Sequence, residues 1–343
     1  MNITMGAKLA YNSMDVAKMA AAVFVVAIHS QPFTGLTKDI VIDVFARLAV
    51  PFFFMASAFL FFRKPADGNR VRGYVRRLGL LYLFWFVVEL PMTVLHGFIE
   101  PDRPFLINLL YLFRGFLFGS TFGGSWFLMA LIECIPLIWF LSRYLRNSVL
   151  AAIGVLFFAV SVTFSYYFAF LPEPVQAVAA GYKSVMGSIQ NSWVLAFGFC
   201  VVGKIAGEHS ARLVGYRPHW LPAVLVLACI LSTVEVLAVK SVQDPNSTDI
   251  FFMLLPFSVL FFLFVMTRNI SWNINYVRIR NYSTIFYLSH FIYVFFLVVI
   301  NKHIIHINPI LKYAIVLTLC YITSRVMTTL SSKKGWGWLR YGY

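Results

Sequence analysis

Residues 13–33, SMDVAKMAAAVFVVAIHSQPF, decide the reading of this chain. From Val16 to Phe33 the run is almost wholly apolar and about as long as a helix needs to cross a ~30 Å hydrocarbon core. A secretory leader would carry a small-residue cleavage site after such a run. None follows, so the segment reads as a membrane helix. It also carries three groups that lipid penalises: Asp15, Lys18 and His29. Eleven residues amount to almost three turns, so Lys18 and His29 share one helix face about 16 Å apart along the axis. Asp15 lies one turn below Lys18 and is expected to pair with it.

The rest of the chain repeats this pattern. Of 343 residues 60% are hydrophobic and only 12% charged, where soluble domains run near 45–50% and about 25%. Runs of spanning length fall near 16–33, 41–62, 77–98, 124–143, 148–170, 190–207, 219–239, 250–267, 283–301 and 309–331. The expected fold is therefore all-α, a polytopic membrane bundle of about ten transmembrane helices. Residues 1–343 read as a single membrane domain with no separate soluble domain. A shorter run, Pro104 to Gly119, carries Arg114 in its middle and reads as an interfacial or re-entrant segment.

The net charge of +15 would suggest nucleic acid in a soluble protein. Here the cations sit between apolar runs, and no nucleic-acid partner is expected. Arg63, Lys64, Arg70, Arg72, Arg76 and Arg77 follow the second run, and Arg143 and Arg146 the fourth. Lys204, Arg212 and Arg217 follow the sixth, Arg268, Arg278 and Arg280 the eighth, and Lys333, Lys334 and Arg340 close the chain. The opposite loops hold Glu100, Asp102, Glu173, Asp244 and Asp249. The positive-inside rule makes the basic loops, and with them both termini, cytoplasmic, facing anionic lipid.

Ionisable groups within spans usually face a partner or a wet cavity. Besides the first span, Arg47 opens the second at about the depth of His29, in the stretch 47–60, RLAVPFFFMASAFL. Pro51 there frees a backbone carbonyl, while Ser57 and the small Ala56 and Ala58 permit close helix contact. Trp126 and Glu133 lie two turns apart in 123–133, GGSWFLMALIE, and Tyr287 and His290 fall mid-span in 282–290, YSTIFYLSH. The bland readings are snorkelling for Arg47, an interfacial belt for Trp126, and helix-end anchors for Asp15, Lys18 and His29. The four cysteines show no metal-ligand spacing, so neither a metal site nor a disulfide framework is expected. Phosphate-loop, dinucleotide-binding, nucleophile-elbow and HExxH patterns are absent.

In order, DVAKMAAAVFVVAIH (15–29), RLAVPFFFMASAFL (47–60), YVRRLGLLYLFW (74–85), SWFLMAL (125–131) and YSTIFYLSH (282–290) resemble the acyltransferase-3 family of membrane acyltransferases across essentially the whole chain. Two departures stand out: Lys18 holds a position where arginine is commoner, and Ala58 replaces the usual glycine. The second basic pair after Arg76 and Arg77 is also incomplete, since Leu78, Gly79 and Leu80 follow.

The resemblance implies transfer of an acyl group, usually acetyl from cytoplasmic acetyl-CoA, to a hydroxyl of an extracytoplasmic or lipid-linked glycan such as O-antigen or exopolysaccharide. It implies a multi-pass protein of the bacterial cytoplasmic membrane with no bound cofactor, acetyl-CoA serving as co-substrate. It carries over His29 as the essential histidine, Lys18 as the family's cation and Arg47 as the motif arginine. Asp15, Ser57, Trp126, Glu133, Tyr287 and His290 then become supporting or pathway residues, and Arg72, Arg76 and Arg77 candidates for the CoA phosphates. A competing expectation is a multispan transporter or flippase related to the membrane part of vancomycin-type serine racemases.

Overall fold

A computed structural model describes residues 11–99, 103–118, 121–213, 216–242, 248–268 and 270–343. Glu100, Asp102, Gly119 and Asp244 lie outside the described residues. Among the described residues the chain is helical throughout, without a strand. The main helices are α1 (Asn12–Ser30), α2 (Gly35–Phe62), α3 (Gly68–Val88), α4 (Phe105–Phe118), α5 (Ser125–Leu141) and α6 (Asn147–Ser165). They continue as α7 (Glu173–Met186), α8 (Trp193–Glu208), α9 (Leu221–Val242), α10 (Leu254–Met266), α11 (Tyr276–His303) and α12 (Pro309–Leu330). By length and composition seven stretches can cross a membrane: α1, α2, α6, α7 with α8, α9, α11 and α12. Each of the ten apolar runs read from the sequence falls on a helix. Two of those helices, α5 with 17 residues and α10 with 13, are short for a full crossing.

Outward faces support a lipid surround. On α9, Val226, Ile230 and Val234 are each more than half exposed, a burden in water that hydrocarbon removes. Inside, Phe52, Phe54, Phe59, Phe197, Phe199, Phe257 and Phe262 are fully buried. Helix α8 runs through the centre, packed on α2, α5 and α6. Glycines set these approaches: a Cβ on Gly203 would fall 2.3 Å from the Met55 carbonyl and 2.9 Å from Ala58, and one on Gly198 would fall 2.8 Å from the Gly154 carbonyl. The small residues of the second span thus do permit close helix contact, with Ala58 at the seam.

Three elements depart from the expectation. The second span begins at Gly35 rather than 41 and is not regular: Val41–Phe45 form a π turn and Ala46–Leu48 a 3₁₀ turn. Pro51 explains part of this, because its ring lacks an N–H and clashes with the carbonyl four residues earlier, that of Arg47. The third span is broken. Helix α3 starts nine residues early, capped by the Asp67 side chain accepting from the Arg70 N–H at 2.8 Å, and gives way after Val88 to Leu90–Val94 and a π turn at Leu95–Ile99. Finally α7, amphipathic and largely exposed, occupies a stretch that hydropathy had left as a connection. The Arg114 side chain of α4 donates to its Ser184 carbonyl at 3.0 Å.

Contacts fix the helix directions. Asn12 donates to the Ile270 carbonyl at 3.0 Å, Asp15 pairs with Arg280, and Tyr343 bonds Ser331 at 2.6 Å. At the opposite end Lys240 of α9 pairs with Asp39 and Asp43 of α2. The two described chain ends therefore share one end of the bundle, and His29 faces the other.

Candidate active site

Near the far end a cavity of about 340 Å³ opens among α1, α2, α5, α10, α11 and the turn before α8. His29, Arg47, Trp126 and Tyr287 all line it, so four residues chosen from separate motifs converge on one space. His29 is exposed to that space although it projects from the bundle's interior. Its ring lies 4.3 Å, centroid to centroid, from Phe291 and 5.2 Å from His290. His290 is fully buried. Its Nδ1 donates to the Phe286 carbonyl at 3.1 Å, and its Nε2 has no partner among the described residues.

Arg47 owes its position to the irregular turns of α2. Its Nη1 contacts Asp249 at 2.6 Å, and Nη2 donates to Thr248 at 3.2 Å and lies 3.6 Å from Asp43. Asp43, 1% exposed, also meets Lys240 at 2.6 Å, Lys38 at 3.2 Å and the Thr248 hydroxyl at 3.2 Å. Both terminal nitrogens of Arg47 are thus committed. The remaining donor, Nε, is buried and has no partner among the described residues.

The α5 side is built from 121–125, TFGGS. Gly124 has φ +76°, the left-handed region that glycine tolerates, and a Cβ on Gly123 would fall 2.0 Å from the Phe291 ring. Tyr82 and Thr121 bond through their hydroxyls at 2.6 Å, and Thr93 donates to the Thr121 carbonyl at 2.9 Å. This pins the loop so that α5 begins beside the cavity. Beneath it Phe53, Phe127 and Tyr287 pack edge to face and Phe54 lies tilted on Phe127, with neighbouring centroids 4.8–5.9 Å apart, and the Tyr287 hydroxyl reaches the Gly124 carbonyl at 3.5 Å.

Other expected residues lie elsewhere. Asp15 does not pair with Lys18: it forms a two-point pair with Arg280, 2.8 Å from Nε and 2.6 Å from Nη2. A planar guanidinium matches a carboxylate better than an ammonium does, and α11 brings one within reach. Lys18 sits near the opposite end of α1, half-buried in the field of Asp15, Arg280 and Arg77. On the face joining it to His29, Ala22 and Val25 are buried in the core, so the polar groups mark two ends of a closed face. Ser57 and Glu133 are partly buried outside the cavity. Arg72, Arg76 and Arg77 are exposed on the early turns of α3.

Gln190, Asn191, Asp249 and Phe291 also line the cavity; sequence reasoning passed over them. The polar run SIQNS at 188–192, interrupting two apolar helices, was the available signal for the first pair. Among the described residues no group of three or more His, Cys, Asp or Glu is placed to hold a metal ion.

The sequence pattern that defines the acyltransferase domain family matches residues 11–328. The chain belongs to the acyltransferase-3 family. Two curated relatives from Enterococcus faecalis, both named amino-acid racemase, are similar over part of it. One is 33% identical over 131 residues, 35% of this chain and 18% of the relative; the other is 28% identical over 155 residues, 42% of this chain and 21% of the relative. The matched stretches thus cover about a fifth of those proteins. No solved structure matches. Family membership and the apolar helices make the chain a multi-pass membrane protein of the acyltransferase-3 family.

Proposed function

We propose that the protein is an O-acyltransferase that moves an acetyl group from acetyl-CoA to a hydroxyl of an extracytoplasmic or lipid-linked glycan in a bacterial inner membrane, with both termini cytoplasmic. The observation that carries this reading is His29: an accessible imidazole inside a membrane bundle, in a cavity shared with Arg47, Trp126 and Tyr287. The phase of the basic loops supports a direction in which the cavity faces the outer leaflet.

In this reading a neutral His29 takes the proton of the acceptor hydroxyl as its oxygen attacks the thioester carbonyl. The tetrahedral intermediate collapses with cleavage of the C–S bond, forming the ester and releasing CoA thiolate, which recovers a proton from the imidazolium. Negative charge on the carbonyl oxygen is met by the positive field of the Arg47 guanidinium, which lines the cavity. Trp126, Gln190 and Asn191 supply an aromatic face and amide groups suited to a sugar. The aromatic floor of Phe53, Phe54, Phe127 and Tyr287 limits water entry from below.

Mass spectrometry of surface glycan from deletion strains complemented with wild type or His29→Ala, at matched membrane levels, tests the proposal. Acetylated glycan is expected from the wild type alone, and an undiminished acetyl increment with His29→Ala refutes it. Movement of a substrate without transfer of label would instead identify a transporter.

A further inference from the structure

A second cavity, of about 220 Å³, lies at the same end of the bundle as the upper cavity that holds His29. Phe164 and Phe168 line it from the last turn of α6 and just beyond, Tyr182 and Lys183 from α7, and Ser188 and Gln190 from the turn before α8. Gln190 lines both cavities. The two spaces therefore adjoin at one side chain.

Its walls are held in place. Gly187, at φ +89°, ends α7 in a backbone conformation that glycine adopts readily and turns the chain into Ser188. The Ser192 hydroxyl donates to the Ile189 carbonyl at 2.7 Å and accepts from the Val194 N–H at 3.2 Å, which fixes the turn carrying Gln190. Arg114 of α4 braces α7 through the Ser184 carbonyl. Within this frame three polar groups are left over. The Tyr182 hydroxyl is buried near Ser192 without a hydrogen bond of standard geometry to it or to any other described residue. Among the described residues the Gln190 amide also has no hydrogen-bond partner, and the exposed Lys183 has no carboxylate partner.

This chemistry suits a sugar. Two phenyl rings offer flat apolar faces to the C–H side of a pyranose, while a phenol, an amide and a serine hydroxyl remain to meet its hydroxyls. The space falls short of the roughly 300–1,000 Å³ of a drug-sized pocket, which fits one ring rather than a chain. Lys183, uncompensated, adds a preference for an anion. We infer that this cavity is a second acceptor subsite: it holds the sugar next to the one whose hydroxyl faces His29, and that neighbouring sugar carries a carboxylate. The inference rests on the glycan reading above and sharpens it to an acidic acceptor of at least two sugars. Gln190, at the junction of the cavities, is placed to bond the link between them.

The test applies the full chain in detergent to an array of bacterial glycans that pairs each uronate-containing disaccharide with its neutral counterpart and includes the single sugars. Lys183→Gln removes the cation, Ala180→Trp fills the cavity from an exposed helix position, and Lys302→Gln, an exposed cation at the same end of the bundle outside both cavities, serves as control. Wild type and Lys302→Gln are expected to retain the uronate member of a pair about tenfold more strongly than the neutral one, the scale of one charge-assisted contact. Lys183→Gln should level the pair, and Ala180→Trp should reduce retention of disaccharides to that of single sugars, both at unchanged melting temperature. Equal retention of both members by the wild type, or a preference that survives both substitutions, overturns the inference and leaves the glycan reading in place. A wild type that retains no glycan refutes that reading and the subsite together. Phosphatidylglycerol that co-purifies with the wild type and is lost from Lys183→Gln, read by native mass spectrometry, identifies a lipid headgroup as the occupant and also overturns the inference.

Discussion

Two clusters at opposite ends of this bundle use charge in opposite ways. Beside the His29 cavity Arg47, Lys240 and Lys38 are tied to Asp39, Asp43 and Asp249 in a network centred on a buried carboxylate. At the other end Arg63, Lys64 and Arg143 line a cavity together with the Lys204–Glu208 pair, and among the described residues none of these three has a carboxylate partner. The first arrangement fixes geometry, because a buried ion that loses its partners is costly and the network resists rearrangement. The second leaves charge free to meet a mobile anion. Paired charge holds the His29 cavity in shape, while the cations at the other end are left to solvent and anions.

Substitutions can break or sharpen that contrast. The largest effect is expected at His29. Replacement by Asn should reduce transfer by 10²-fold or more, the usual range for a lost general base, with the melting temperature unchanged because the ring faces open cavity. Next comes Asp43→Asn, which leaves Lys240 and Arg47 under-compensated. It should destabilise by about 3–5 kcal/mol, as for other broken buried pairs, seen as a clear fall in thermal stability alongside lost activity. If Asp43→Asn left stability unchanged, the two ends would not differ as described.

Smaller is the effect of Lys38→Gln. Lys38 is a third exposed and its pair with Asp43 sits at the rim, so denaturation should move by less than about 1 kcal/mol. At the opposite end the outcome should invert. Lys64→Gln removes an exposed cation that has no carboxylate partner among the described residues, so it should leave the melting temperature unchanged.

Much of this was legible in the sequence, and the rest was not for definite reasons. Each apolar run of spanning length falls on a helix, since backbone groups in lipid must be satisfied within a helix and hydropathy follows that constraint. His29, Arg47, Trp126 and Tyr287 were readable as polar or aromatic exceptions inside such runs. The pairing of Asp15 was not, because helical spacing brings Lys18 near while only the fold brings Arg280. Asp43 was missed for the same reason: its partners Lys240 and Thr248 are about two hundred residues away. Helix α7 escaped because its apolar face is too narrow to register as a spanning run. The irregular turns that aim Arg47 have a local cause in Pro51, yet Pro51 alone does not say whether a helix kinks, bulges or tightens.

The central claim is that His29 performs acyl transfer in the upper cavity. It is tested most directly by reconstituting wild-type and His29→Asn protein in liposomes carrying extracted bacterial lipid-linked glycan, supplying acetyl-labelled CoA, and following label into the glycan fraction. The account predicts label in glycan from the wild type and background from His29→Asn at equal protein and equal CoA binding. Equal labelling by both proteins would contradict it.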